Sequence, residues 1–290
     1  MPELPEVETV RRGLHELIIG RTVAGIEYDT PKSFPNAEAD VRTFLIGATV
    51  TNVRRRAKVL LIDLSTEYTL VIHLKMTGQL VYRASGVAFG AGHPNDSLIG
   101  QLPDKSTRAT FTFADTARLF FNDQRKFGWI RLIPTIEVPN IDFMQKVGPE
   151  PLEADFTAAE FTERFVRRAR SPIKAALLDQ TVVAGVGNIY ADESLWGAKI
   201  HPLRLVSSVT KNEFKELYSD LRDVMNLAIE KGGSTDRNYV NAEGKKGSYI
   251  DFARVFRQEG HACPRCGTTI VKMRAAGRGT HICPRCQVLE

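Results

Sequence analysis

Cys263-Pro264-Arg265-Cys266 and Cys283-Pro284-Arg285-Cys286 are the stretches from which the rest of the chain can be read. Sixteen residues separate these two knuckles, and together they hold all four cysteines of the chain. Two such pairs can set four thiolates around one Zn²⁺ at tetrahedral geometry. Four protein ligands leave no open position for water, so a single structural zinc is expected. Disulfides are the less favoured use of these cysteines in a cytosolic chain. Between the knuckles lie Lys272, Arg274 and Arg278, on a hairpin that the metal would hold. That hairpin is either a solvated basic turn or a prong presenting positive charge to a phosphate backbone.

Charge separates the two uses. From residue 254 to 290 there are seven Lys/Arg against two Asp/Glu, a local excess of +5 that equals the net +5 of all 290 residues. Thiolates and metal together add −2, so the module falls from +5 to +3 and stays basic. A surface of this kind meets a polyanion. With 43% hydrophobic and 25% charged residues, the chain has the material for two domains with their own cores. No apolar run reaches the length of a membrane span. The opening residues are acidic where a secretory signal would be basic, which points to the cytoplasm.

Upstream of the zinc module the pattern is helical. Helices are expected over 156–168, 173–178, 189–196 and 213–231, the last with Phe214, Leu217, Leu221, Val224, Met225 and Ile229 on one stripe. Gly232-Gly233 ends it, and the polar segment 234–248 reads as a loop able to close over a ligand. Within the helical part, Val183-Ala184-Gly185-Val186-Gly187-Asn188 precedes a helix. Such a turn is either a plain helix hairpin or an anion site, with exposed backbone N–H groups and Asn188 as N-cap. Arg164, Arg167, Arg168, Arg170 and Lys174 lie just before it, which favours phosphate. On charge and proximity, Arg170 and Lys174 are added as contacts to a phosphate backbone.

Closer to the start the period shortens. Strands are expected over 22–28, 49–54, 59–64, 70–74, 109–113, 118–121 and 129–133, a succession that suggests an antiparallel sandwich or barrel. The glycine- and proline-bearing segment 84–106 reads as a long mobile loop, most simply an inert insertion. Lys58 opens a strand, as a strand-edge lysine or a functional one. Met76, in His73-Leu74-Lys75-Met76-Thr77-Gly78, and Phe127, in Asp123-Gln124-Arg125-Lys126-Phe127-Gly128, sit at turns; taken alone, buried Met and Phe are core residues.

Before all of this comes Met1-Pro2-Glu3-Leu4-Pro5-Glu6-Val7-Glu8, heading a helix with Val7, Val10, Leu14, Leu17 and Ile18 on one face. Removal of Met1 would make Pro2 a terminal secondary amine. Such α-amines have a pKa of about 7.7–8.0, low enough to supply a nucleophile at neutral pH. Its adduct with a sugar carbon is a cationic iminium with no N–H proton to lose. Glu3 would sit beside it as acid or base.

These motifs, in this order, resemble the formamidopyrimidine-DNA glycosylase family over nearly the whole chain. Leu4 favours that branch over the endonuclease VIII type, which characteristically has glycine there. The resemblance implies an α+β protein: a catalytic antiparallel β-sandwich with a leading helix (1–135), a helical helix–two-turn–helix domain with a lesion-covering loop (136–250) and a zinc-finger hairpin built on the four cysteines (251–290). It implies a bifunctional glycosylase and AP lyase that excises oxidised purines, 8-oxoguanine and formamidopyrimidines, through a Schiff base on Pro2. β,δ-Elimination then nicks the strand in base excision repair.

By the same resemblance Pro2 is the nucleophile, Glu3 handles the proton, and Lys58 and Arg278 assist elimination or hold phosphates. Asn188 contacts DNA phosphate, while Met76, Arg125 and Phe127 fill the gap left by the extruded nucleotide. Cys263, Cys266, Cys283 and Cys286 hold the one structural zinc. The partner is damaged double-stranded DNA, bound by a cytoplasmic monomer. Two departures stand out: Lys105-Ser106-Thr107-Arg108 replaces a frequent Lys-His-x-His, and Arg257 stands where glycine is common. Two other readings remain open: an endonuclease VIII-type enzyme for oxidised pyrimidines, and a binder of damaged DNA without catalysis.

Overall fold

The apolar stripe of the first segment winds into α1 (Leu4–Ile18), with Leu4, Val7, Val10, Leu14 and Ile18 fully buried. Pro5 stands in its first turn, where the absent N–H has no intrahelical partner to lose. The computed structural model describes residues 1–93, 95–234 and 249–289. They fall into two compact units: Met1–Gln145 with Lys231–Ser248, and Lys146–Glu230 with Tyr249–Glu290.

In the first unit the strands are β1 (Val23–Tyr28), β2 (Val50–Arg56), β3 (Val59–Leu64), β4 (Tyr68–His73), β5 (Gly78–Ala84), β6 (Val87–Gly92), β7 (Thr107–Phe113), β8 (Arg118–Asp123) and β9 (Trp129–Pro134). They form a five-stranded sheet, β1-β7-β8-β5-β6, and a four-stranded one, β2-β3-β4-β9. Every pairing is antiparallel. Leu60, Ile62 and Ile72 from one sheet and Leu80, Tyr82, Phe111 and Phe121 from the other share one core with Val10 and Leu14 of α1. This is the expected sandwich, with the leading helix built into its core. A short helix α2 (Glu38–Asp40) runs into a π-helical turn, Val41–Leu45, and α3 (Asp142–Lys146) packs Phe143 and Met144 on Val59, Leu61 and Val71.

The segment 84–106 is not the loop its composition suggests. Its first part is β6, paired to β5 from Gln79↔Gly92 to Ala84↔Val87. Phe89 of this strand lies over Gly13 of α1, where an added Cβ would clash with the phenyl ring, 2.1 Å from its nearest carbon. The remainder is held by Asp104, whose carboxylate accepts from Ser97 Oγ (2.6 Å), Ser106 N (2.7 Å) and Ser106 Oγ (2.6 Å). Here tertiary packing overrides a glycine-rich sequence with weak strand propensity.

The second unit contains α4 (Ala158–Val166), α5 (Ile173–Leu178), α6 (Asn188–Gly197), α7 (Lys211–Glu230) and the hairpin β10 (Val271–Ala275) and β11 (Arg278–Ile282). Phe161, Phe165, Phe214 and Tyr218 interlock between α4 and α7. The hairpin reverses at Ala276 and Gly277, both left-handed at φ 50° and 70°, the requirement of a two-residue turn that follows the strand twist. Buried Glu193 of α6 accepts the N–H groups of Arg254 (2.9 Å), Val255 (2.9 Å) and Phe256 (2.8 Å) and the Tyr249 hydroxyl (3.0 Å). The chain leading into the hairpin is thereby fixed to the helices.

Candidate active site and nucleic-acid contacts

The head of α1 is rigidly capped. Glu3 is its N-cap, and the Glu6 carboxylate returns to accept the Glu3 N–H at 2.8 Å in a reciprocal capping box. Pro2 is buried and Glu3 only 2% exposed, while Met1 projects outward. The other Glu6 oxygen accepts Ser234 N at 2.8 Å. Glu6 therefore joins the head of α1 to the root of the segment expected to cover a lesion. Residues 235–248 of that segment lie outside the described residues. Sequence reading passed over Glu6, although a Glu three residues after Glu3 is the capping-box spacing.

Two turns of the same unit carry Met76 and Phe127. Phe127 is 48% exposed and Met76 is half-buried, so neither is a core residue. The Arg125 guanidinium lies over the Phe127 ring at 4.8 Å. Lys58 occupies the tight turn just before β3, next to Ala57 at φ 52°, and is largely buried. His73 ends β4 opposite Val59, and its Nδ1 accepts Lys75 N at 3.0 Å. Burial pushes its pKa down to about 3, helped by the positive charges of Lys75 and Lys58. The imidazole beside Lys58 is thus neutral.

Arg108, which departs from the family pattern, is buried. It donates to Ser106 O at 2.9 Å, to Lys105 O and to the carboxylate of Asp29. Its charge serves the fold, closing the end of the 84–106 segment onto β1.

In the second unit one expectation is corrected. Lys174 is 0% exposed, and its ammonium donates to Asp192 Oδ1 and Thr280 Oγ1, both at 2.6 Å. A lysine so placed has no reach to a phosphate, and it is withdrawn from the DNA contacts. Arg164 donates to the carbonyls of Val182 and Thr181 (2.7 and 2.8 Å) and Arg168 pairs with Asp179, whereas Arg167 and Arg170 are exposed. Asn188 is the first residue of α6, not its cap, which is Gly187. Its Nδ2 donates to Gly279 O at 3.0 Å, next to exposed Arg278. Strand β11 is clipped to the helices at successive residues: Gly279 by Asn188, Thr280 by Lys174, and His281, whose N–H donates to Asp192 Oδ2 at 2.9 Å.

The four thiol sulfurs of Cys263, Cys266, Cys283 and Cys286 lie within 4.8 Å of one another and none is in a disulfide. Separations of 3.9, 3.4 and 3.6 Å bracket the roughly 3.8 Å between sulfurs bound at about 2.3 Å around a tetrahedral zinc. The donor set fits one structural Zn²⁺. Trp196 of α6 packs against this cluster, with the guanidinium of Arg265 3.9 Å from its ring centre and that of Arg254 at 4.8 Å. Among the described residues no helix is long and apolar enough to cross a membrane.

An antiparallel sandwich led by a buried N-terminal helix, a helical unit with a glycine turn before α6, and a hairpin closed by four cysteines are the parts of a zinc-finger DNA glycosylase. The chain belongs to the formamidopyrimidine-DNA glycosylase family. Residues 1–130 match the formamidopyrimidine-DNA glycosylase N-terminal domain, 147–239 its H2TH domain, and 260–288 the zinc finger found in FPG and IleRS. Among its relatives, the formamidopyrimidine-DNA glycosylase of Pelotomaculum thermopropionicum is 41% identical, with all of both chains covered. That of Streptococcus pyogenes is 42% identical over 99% of this chain and 98% of the relative. Among solved structures, a Lactococcus lactis FPG mutant complexed with Fapy-dG DNA aligns with a TM-score of 0.86 at 36% identity, covering 99% of this chain and 100% of that one. The wild-type L. lactis protein with oxidised-pyrimidine DNA gives 0.85 at 35%, with the same coverage.

Proposed function

We propose that the protein is a bifunctional glycosylase and AP lyase for oxidised purines, 8-oxoguanine and formamidopyrimidines, in duplex DNA. The observation that carries this reading is the capped head of α1, which holds Pro2 and Glu3 buried while Met1 is exposed, so that removal of Met1 frees the Pro2 nitrogen at a capped helix start. The Pro2 nitrogen attacks C1′ of the lesion sugar, and the bond to the base breaks. The base leaves with that electron pair and gains a proton, which Glu3 supplies or relays. The Pro2 nitrogen gives up its proton and its lone pair opens the sugar ring: the C1′–O4′ bond breaks, O4′ leaves with the electron pair and takes up a proton, and the iminium so formed acidifies C2′–H. Loss of that proton expels the 3′ phosphate, and a second elimination expels the 5′ phosphate. Lys58 and Arg278 hold the phosphates or assist their departure, and Asn188 and Arg170 bind the backbone elsewhere. Met76, Arg125 and Phe127 enter the duplex where the nucleotide has left. Zinc has no part in these steps; its chemistry is to fold the hairpin that carries Arg278. The protein works as a monomer in the cytoplasm.

The experiment is single-turnover excision from duplexes that differ only in the lesion. Release of 8-oxoguanine and formamidopyrimidine at least tenfold faster than of oxidised pyrimidines, about 1.4 kcal/mol in barrier, supports the reading. The solved complex of the L. lactis relative with oxidised-pyrimidine DNA favours a second reading, in which both classes are accepted. Comparable rates would establish it.

A further inference from the structure

We propose that Asp123 and Thr77 are positioning residues that lock the two wedge turns together, so that Met76 and the Arg125–Phe127 pair enter the duplex as one rigid part. This rests on the reading of those three side chains as the wedge.

The two turns share an unusual backbone. Met76 follows Lys75 at φ 50°, and Phe127 follows Lys126 at φ 56°. A left-handed conformation costs a residue with a side chain about 1–2 kcal/mol and persists only where surrounding contacts impose it. Those contacts converge on one carboxylate. Asp123 is 0% exposed. Its Oδ1 accepts from the Thr77 hydroxyl and from Arg125 N at 3.2 Å, and its Oδ2 accepts from Phe127 N at 2.8 Å and Gly128 N at 2.7 Å. Thr77 completes the link, because Oγ1 also accepts Arg125 N, at 3.0 Å. Gly78 and Asp123 are cross-strand partners, which brings the turns side by side. At Gly128 a Cβ would lie 2.7 Å from the Phe121 ring and 3.1 Å from the Asp123 carboxylate, so the second turn has no slack.

A buried anion saturated by donors from two loops resists any movement of one loop without the other, since each donor lost leaves a desolvated charge less satisfied. Both side chains are buried and make their hydrogen bonds within the two turns. Their effect falls on opening the duplex and not on bond breaking at C1′.

The test uses the zinc-loaded full-length protein and two substrates: 8-oxoguanine paired with cytosine, and the same strand with a gap opposite the lesion, where there is no partner base to displace. Thr77→Val keeps shape and removes the hydroxyl; Thr77→Ser keeps the hydroxyl. Thr77→Val should slow single-turnover excision from the paired duplex about tenfold, as expected for one hydrogen bond to a charged group, and leave the gapped substrate within about twofold. Thr77→Ser should restore the paired rate. Asp123→Asn gives the same paired-only loss if Thr77→Val folds poorly. Equal losses on both substrates, or no loss for Thr77→Val where Phe127→Ala shows one, overturn the coupling. If Phe127→Ala itself leaves the paired rate unchanged, the wedge reading fails and the coupling falls with it.

Discussion

Lys174 and Arg170 stand four positions apart in one basic run, and the fold gives them opposite uses. Lys174 is sealed in with Asp192, while Arg170 is exposed. Lys174→Met should therefore destabilise the protein by about 3–5 kcal/mol, because it leaves the buried Asp192 carboxylate with the His281 contacts but without its ammonium partner. The salt dependence of DNA binding should not change. Arg170→Ala should do the reverse, leaving stability within about 0.5 kcal/mol and reducing the slope of log affinity against log salt by about 0.9. Thermal unfolding and salt titrations separate the two. His73 carries a pH prediction. Its folded pKa of about 3 lies below the unfolded value of 6.5, so between these values the unfolded chain binds the proton and the folded one does not. Stability is then complete above pH 6.5 and falls toward pH 3 by about 1.4 kcal/mol per unit. His73→Asn should flatten this part of the stability–pH curve relative to wild type; parallel curves would show that His73 titrates normally.

At the scale of elements, the zinc hairpin was the part most legible in the sequence, because metal geometry dictates ligand spacing and nothing else in the chain competes for it. The periodic helices and most strands of the sandwich were legible for a similar reason: Val59–Leu64 and Ile173–Leu178 have the expected limits. What was not legible depends on partners distant in sequence. β6 is a strand only because β5 and α1 flank it, and its Val-Ala-Phe-Gly-Ala-Gly composition signals a loop. Lys174 looks like a phosphate ligand until Asp192 and Thr280 are seen around it. The carboxylates of Glu6 and Asp123 organise their turns through backbone N–H groups, which leave no mark on periodicity. The hairpin also yields a prediction. Metal analysis should find about one zinc per chain. Chelation should unfold β10 and β11, release strand β11 from Asn188 and Lys174, and weaken DNA binding at least tenfold, about 1.4 kcal/mol. Undiminished affinity of the metal-free protein would contradict the role given to the hairpin.

Over the whole molecule, the two units divide the work. In the proposed function the first holds Pro2, Glu3, Lys58 and the three side chains read as the wedge; the second holds the basic helices, Asn188, Arg278 and the four cysteines. Its C-terminal module concentrates positive charge in a chain whose net charge is only +5. DNA binding alone would need no more than the second unit's chemistry, and a catalytic reading depends on one atom of the first, the nitrogen of Pro2. The direct measurement is borohydride reduction during reaction with a duplex bearing 8-oxoguanine opposite cytosine, followed by the mass of the N-terminal peptide. The peptide should begin at Pro2 and gain the mass of the reduced sugar adduct, and trapping should collapse in Pro2→Gly. An adduct found on a lysine, or a Pro2→Gly variant that traps and excises as fast as wild type, would contradict that reading.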